Sequence, residues 1–345
     1  MLVTYYLGLS LSVAGAQEPV AQSPSFVVQA SGTGNRLQAV SATGPRVVWA
    51  SGLGGTFVRT TDGGNTWHAG VVPGADSLEF RDVEAVSDRV AYLLAAGPGS
   101  ASRIYKTEDA GRTWSIQFRN PDPKAFFDCF AFWTPTRGIA LSDAVGGRFP
   151  ALLTTDGRHW EDIAGRLPPA QTDEAEFAAS GTCVATHGQE RGWAITGGAT
   201  RSRVLMTADG GATWRGVETP IVSHAGAGGF TVAFRDSVHG IVAGGDLDTA
   251  NARPRERVAV SSDGGRSWTL ASPPPFDGAV FGSSYVPGSE PTVVITGPGG
   301  TAWSPDEGRT WNRLNGVSGY WAVAFAAGGA GWLVGTDGRI LKVSF

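Results

Sequence analysis

The octapeptide TTDGGNTW at Thr60 to Trp67 returns along the chain with the same order of hydroxyl, Asp, Gly and Trp. Its further copies are TEDAGRTW at 107–114, TTDGRHW at 154–160, TADGGATW at 207–214, SSDGGRSW at 261–268 and SPDEGRTW at 304–311. A motif that recurs every forty to fifty-odd residues, with four short strand-like runs per interval, restricts the chain to a radial β-propeller in which one repeat builds one blade. Each repeat reads as strands A to D, with the motif in the C-to-D turn and its Trp opening strand D.

The blades expected on this pattern span 37–72, 83–118, 128–163, 182–217, 231–270, 282–314 and 320–345. The last repeat supplies YWAVAF, GWLVG and RILKVSF, then ends with its fourth strand missing. The orphan run FVVQA, Phe26 to Ala30, is the candidate for that strand. Pairing the two ends closes the ring and removes open sheet edges. Thr336-Asp337-Gly338 imitates the Asp motif, but aligning Trp332 with Trp49 places it in a B-to-C turn. The expected fold is therefore all-β: a seven-bladed propeller of four-stranded blades, residues 17–345 forming one domain.

Composition agrees with many tight turns, since 50 of 345 residues are Gly, about twice the usual ~7%. A net charge of −4 without a basic run argues against nucleic acid as a partner. Residues 1–16 read as a secretory signal, an apolar run ending in Ala14-Gly15-Ala16, so export to the periplasm or medium is expected. The run is shorter than the ~20 apolar residues of a membrane span. The five His fall on separate repeats and the Gly-rich segments lead into no helix, so neither a metal nor a nucleotide cofactor is expected. Cys129 and Cys183 each lie nine residues before the glycine opening strand B. Equivalent positions on adjacent blades point the same way around the ring, and on that ground two buried free thiols are expected.

The repeated motif has a structural purpose that needs no catalysis. Asp62, Asp109, Asp156, Asp209, Asp263 and Asp306 accept backbone N–H groups in an Asx-type turn, and a following Gly tolerates positive φ. Trp67, Trp114, Trp160, Trp214, Trp268 and Trp311 then bury large rings between blades. The copy at 154–160 is one residue short, so its turn should be distorted around His159.

These six copies resemble the Asp-box (BNR) repeat. Together with the GWLVG and FVRTTDGG segments, they make the chain similar to the photosystem II stability and assembly factor-like family of propellers. That resemblance implies a non-enzymatic, exported binding or assembly protein. Asp-box propellers also include glycosidases, which supplies the alternative reading.

The departures from the repeat locate a candidate binding face. Trp67, Trp114, Trp160, Trp214, Trp268 and Trp311 are spaced 47, 46, 54, 54 and 43 residues apart, so the extra length lies around blades three to five. It falls at Asn120–Phe127, Pro168–Phe177 and Gly244–Arg257, on the face opposite the Asp motifs, and insertions gathered on one face often mark where a repeat protein binds. Candidate ligand-binding residues there are Asp143, Arg148, Ser180, Arg201, Arg203 and Asp246, expected to hold a protein or carbohydrate ligand on a monomeric ring. Phe80, Phe127, Phe177, Phe230, Phe281 and Tyr320 recur near the start of strand A and read as core, while Arg36 and Arg81 make the channel mouth more cationic than the net charge suggests.

A glycoside hydrolase would need two carboxylates, for which Asp128, Asp143, Glu176 and Asp246 are the candidates. A sialidase would need a Tyr backed by Glu, and Tyr285 and Tyr320 are the available tyrosines. A redox role finds no cofactor fingerprint to support it.

Overall fold

The computed structural model describes residues 1, 23–248 and 255–345. Apart from Met1, the expected leader lies outside the described residues, as does the 249–254 part of the Gly244–Arg257 insertion. The described chain forms seven antiparallel sheets of four strands each. Blade one consists of Leu37–Ala42, Val48–Gly52, Thr56–Thr60 and His68–Val71, and its order recurs in the following five blades. In the last blade Tyr320–Phe325, Ala330–Gly335 and Arg339–Ser344 are completed by Ser25–Ala30. Phe26 pairs with Val343 and Ala30 with Arg339, so the N-terminal strand closes the ring as expected. Thr336–Gly338 forms the tight connection between strands B and C of this blade, outside the Asp-motif series.

Strand B shows why these sequences suit a propeller. VWASG in blade one and AYLLA in blade two are buried at every residue, because a neighbouring blade covers each face of the sheet. Such strands read as continuous apolar runs rather than an alternation. Between blades one and two, Trp49 meets Trp114 edge-on at 6.3 Å, and Phe57 meets the same ring at 5.1 Å. Trp49 and Trp193 are fully buried, and each indole N–H reaches a carbonyl of a turn, Ser87 at 2.9 Å and Gly264 at 3.0 Å.

In blade one the Asp motif is a closed hydrogen-bond circuit. Thr60 donates its hydroxyl to Asp62 at 2.8 Å and accepts the Gly64 N–H at 2.9 Å. Asp62 accepts the Thr66 N–H at 2.9 Å, which fixes where Trp67 begins the outer strand. Blade two repeats the pattern, and there the Thr113 N–H followed by the Thr113 hydroxyl holds Asp109 down to about 2. The shortened third copy is distorted as its length implies: Asp156 accepts both Arg158 and His159 N–H groups at 2.8 Å, and His159 Nδ1 lies 2.6 Å from its other oxygen.

The innermost strands carry the feature that builds the mouth. Register shifts fall at Gln38, Arg81, Asp128 and Trp321, each the second residue of strand A in blades one, two, three and seven, and at Phe230, the fourth residue of strand A in blade five. A bulge leaves its extra residue outside the ladder and re-aims its side chain. Gln38, Arg81, Phe230 and Trp321, the extra residues of blades one, two, five and seven, line one basin at the channel mouth, whereas Asp128 of blade three is buried.

Near the axis the A strands also touch directly, and this overturns the expectation of free thiols. Cys129 and Cys183 form a disulfide, with Cα atoms 5.9 Å apart. Equivalent residues do point the same way around the ring, but so close to the axis each reaches the backbone of the next blade. Phe130 N–H reaches Asp82 Oδ2 at 2.8 Å, Cys183 N–H reaches Cys129 Sγ at 3.2 Å, and Ser283 N–H reaches Thr231 Oγ1 at 3.1 Å. At that separation the second cysteine only has to turn back.

Candidate functional site

The connection from blade three to blade four folds across the mouth of the channel. Glu174 pins its start: the carboxylate is buried and takes Arg203 Nε at 2.9 Å, Arg203 Nη2 at 2.5 Å and the Thr196 hydroxyl at 2.6 Å. Ala175 and Gly197 exchange both backbone hydrogen bonds, at 3.0 and 2.9 Å. Glu176 N–H donates to Asp143 at 2.9 Å, and Phe177 packs on Phe230 at 4.4 Å. Ser180 then donates to the carbonyl of Phe281 in blade six at 2.6 Å. Gly181, at φ +71°, lies so close to Asp82 and Arg81 of blade two that a Cβ would fall 2.4 Å from Asp82 Oδ1. Glycine is therefore required where this plug meets the second blade.

Above the plug lies a basin of about 200 Å³. Ala178 and Ala179 line it from the plug, and Phe177, Phe281 and Trp321 contribute partly exposed rings. Phe230 and Phe281 lie 5.8 Å apart, Phe281 and Trp321 5.7 Å, and both pairs meet edge to face. The Arg36 guanidinium stacks over Trp321 at 4.9 Å, an arrangement that attracts a cation to the ring face. Arg81 lines the basin as well and is paired with Glu79 at 2.5 Å. Gln38 is 3% exposed, with its Oε1 lacking a hydrogen-bond partner, and Arg36 Nε is buried and likewise unpartnered. Leu247, 48% exposed, stands beside the basin.

Beneath the plug is a group of carboxyls. Asp128 and Glu176 are buried, and Asp128 accepts the Asp143 N–H at 3.1 Å. Burial pushes Asp143 up to about 6. Burial, then the Asp143 charge, raises Asp128, while burial, then the Asp128 and Asp143 charges, raises Glu176. Glu84, deeper along strand A of blade two, is pushed up to about 8 by burial. Among the described residues no group of three or more His, Cys, Asp or Glu is arranged to hold a metal ion.

The residues singled out in the sequence therefore separate. Asp143, Glu176, Ser180 and Arg203 share one structure, the plug and its anchors, and Asp128 sits below it. Asp246 accepts the Asp248 N–H at 2.8 Å and lies 3.4 Å from His224 Nε2. Arg148 lines a separate groove of about 290 Å³ with Phe118, Asn120 and Leu152. Arg201 is exposed. Hydrolysis requires two carboxyls flanking a substrate bond, whereas Asp128 and Glu176 are 2% and 3% exposed. A Tyr–Glu pair does exist, Tyr285 donating to Glu307 at 3.2 Å, but Glu307 belongs to the Asp motif of blade six, on the opposite face. Burial, then the Glu307 charge, raises the Tyr285 pKa, the reverse of what a nucleophile needs.

Gln38 becomes prominent only in three dimensions, because its signal in the sequence was a bulge, which strand spacing does not disclose; Trp321, readable beside Tyr320 as a ring near the mouth, does line the basin.

No family model matches the chain, and no curated protein does. Solved structures do resemble it. "YCF48 bound to D1 peptide" is 15% identical, with a TM-score of 0.64 over 94% of this chain and 96% of that one. YCF48 from Cyanidioschyzon merolae is 17% identical, with a TM-score of 0.64 over 92% and 98%. Virginiamycin B lyase from Staphylococcus aureus is 10% identical, with a TM-score of 0.64 over 94% and 99%. At these identities the likeness concerns the fold, which is shared by binding proteins and an enzyme.

Proposed function

We propose that this protein is an exported binding propeller of the assembly-factor type, and that its central basin captures a segment of a protein partner. The observation that carries this reading is the basin itself: an aromatic arc faced by Arg36 and Arg81 over a pinned floor. At about 200 Å³ it is smaller than the ~300–1,000 Å³ typical of small-molecule sites. That size suits one part of a larger ligand better than a whole metabolite. The peptide held by the YCF48 propeller lends support, since a similar ring there takes a polypeptide segment. Export is supported by the buried disulfide, because such bonds persist in oxidising compartments.

The test is to pan a random displayed-peptide library on the wild-type protein and on Trp321→Ala. Enrichment of peptides that the variant fails to hold is the expected result. Peptides that bind both proteins equally would place the binding surface elsewhere.

A further inference from the structure

Gln38 and Arg36 stand two residues apart at the start of the first blade's inner strand, and both line the basin. Gln38 Oε1 is a buried acceptor without a donor, and Arg36 Nε is a buried donor without an acceptor. A buried polar group left unmet is costly, so such groups in a native fold need a reason. Two unmet groups of opposite type, on residues that both line one cavity, match a ligand that can donate as well as accept. The peptide unit does so, with one N–H and one C=O per residue.

The aromatic rings narrow the choice. A sugar stacks its flat face on an aromatic face, but Phe230 and Phe281 cross at 69°, and Phe281 and Trp321 at 73°. Tilted rings form a cleft for an apolar side chain rather than a platform. Arg36 already covers the Trp321 face.

Resting on the reading of the basin as a binding site, we infer that it recognises a polypeptide main chain. The ligand's N–H goes to Gln38, its carbonyl oxygen to Arg36, and one apolar side chain to the cleft of Phe281 and Trp321. Recognition of this kind tolerates many sequences around one apolar residue, which is useful to a factor that must hold a partner before its own contacts form.

The probe is the tripeptide Ala-Leu-Asp, acetylated at its amino end and closed as a dimethylamide at its carboxyl end, compared with its analogue methylated at all three residue nitrogens. Methylation keeps the side chains and carbonyls and removes the N–H donors. Binding to the full-length protein is followed by the Trp321 indole resonance. The parent peptide should bind about tenfold more tightly than the methylated one, as expected for one hydrogen bond to a buried group. Gln38→Met should erase that difference by weakening the parent alone. Equal binding of the two peptides to wild type, or a preference that survives Gln38→Met, overturns the main-chain contact while leaving the basin as the binding site. A Trp321 resonance that responds to neither peptide but shifts with cellotetraose overturns the polypeptide reading as well. If Gln38→Met does not fold, the wild-type comparison of the two peptides still decides.

Discussion

Ser180 donates its hydroxyl to the carbonyl of Phe281, 101 residues away in sequence, at 2.6 Å. This bond ties the plug to the far wall of the mouth and so sets the floor of the basin. Ser180→Ala removes the donor and leaves a carbonyl partly unmet, a loss of about 1 kcal/mol. Amide exchange across residues 177–181 should quicken in the variant while exchange in strand B of blade four stays unchanged. Unaltered exchange at 177–181 would mean that this bond does not hold the floor.

The disulfide between Cys129 and Cys183 joins the inner strands of blades three and four just below the plug. Protein denatured without reductant should therefore take up no iodoacetamide, and two adducts would contradict the bond. Cys129→Ala combined with Cys183→Ala should lower stability in guanidinium by about 2–5 kcal/mol, the usual cost of losing a native bridge.

Glu84 supplies a pH dependence with a definite sign. Its folded-state pKa, about 8, lies above the ordinary 4.5, so the folded protein binds this proton more tightly than the unfolded chain. The stabilisation it gives is complete below pH ~4.5 and is lost as the pH rises through about 8. Glu84→Gln mimics the protonated acid. Urea midpoints of wild type and Glu84→Gln should converge near pH 5 and separate by pH 9, with wild type the less stable. Parallel curves would show that Glu84 titrates normally.

Trp214→Ala separates the scaffold from the site. Its ring is 9% exposed within the core between blades, so truncation should cost about 3–5 kcal/mol. Peptide capture by the folded fraction, measured below the melting transition, should remain. Loss of capture without loss of stability would give the Asp-motif Trp a binding role.

Much of the fold was legible because a propeller repeats its local chemistry. The spacing from Trp67 to Trp311 marks the outer strand of six blades, and the orphan FVVQA run finds its place beside RILKVSF. The disulfide was not legible, because alignment gives the equivalence of Cys129 and Cys183 but not how closely the inner strands converge on the axis. The mouth was legible in part. The long 168–177 connection was visible as an insertion, and its polar residues were natural candidates. Whether Glu174 and Arg203 face a ligand or each other depends on a fold-back that spacing cannot show. Gln38 was hidden more deeply, since a bulge changes where one side chain points without changing the strand's apolar pattern.

The most direct measurement of the central claim is the dissociation constant of one library-selected peptide for four proteins: wild type, Arg36→Ala, Trp321→Ala and Arg148→Ala. Arg36 and Trp321 belong to the basin and Arg148 to the separate groove. If the basin is the binding site, Arg36→Ala and Trp321→Ala weaken binding about tenfold or more, and Arg148→Ala leaves it unchanged. Undiminished affinity in both basin variants, with a loss in Arg148→Ala, would contradict the account and move the binding site to the groove between blades two and three.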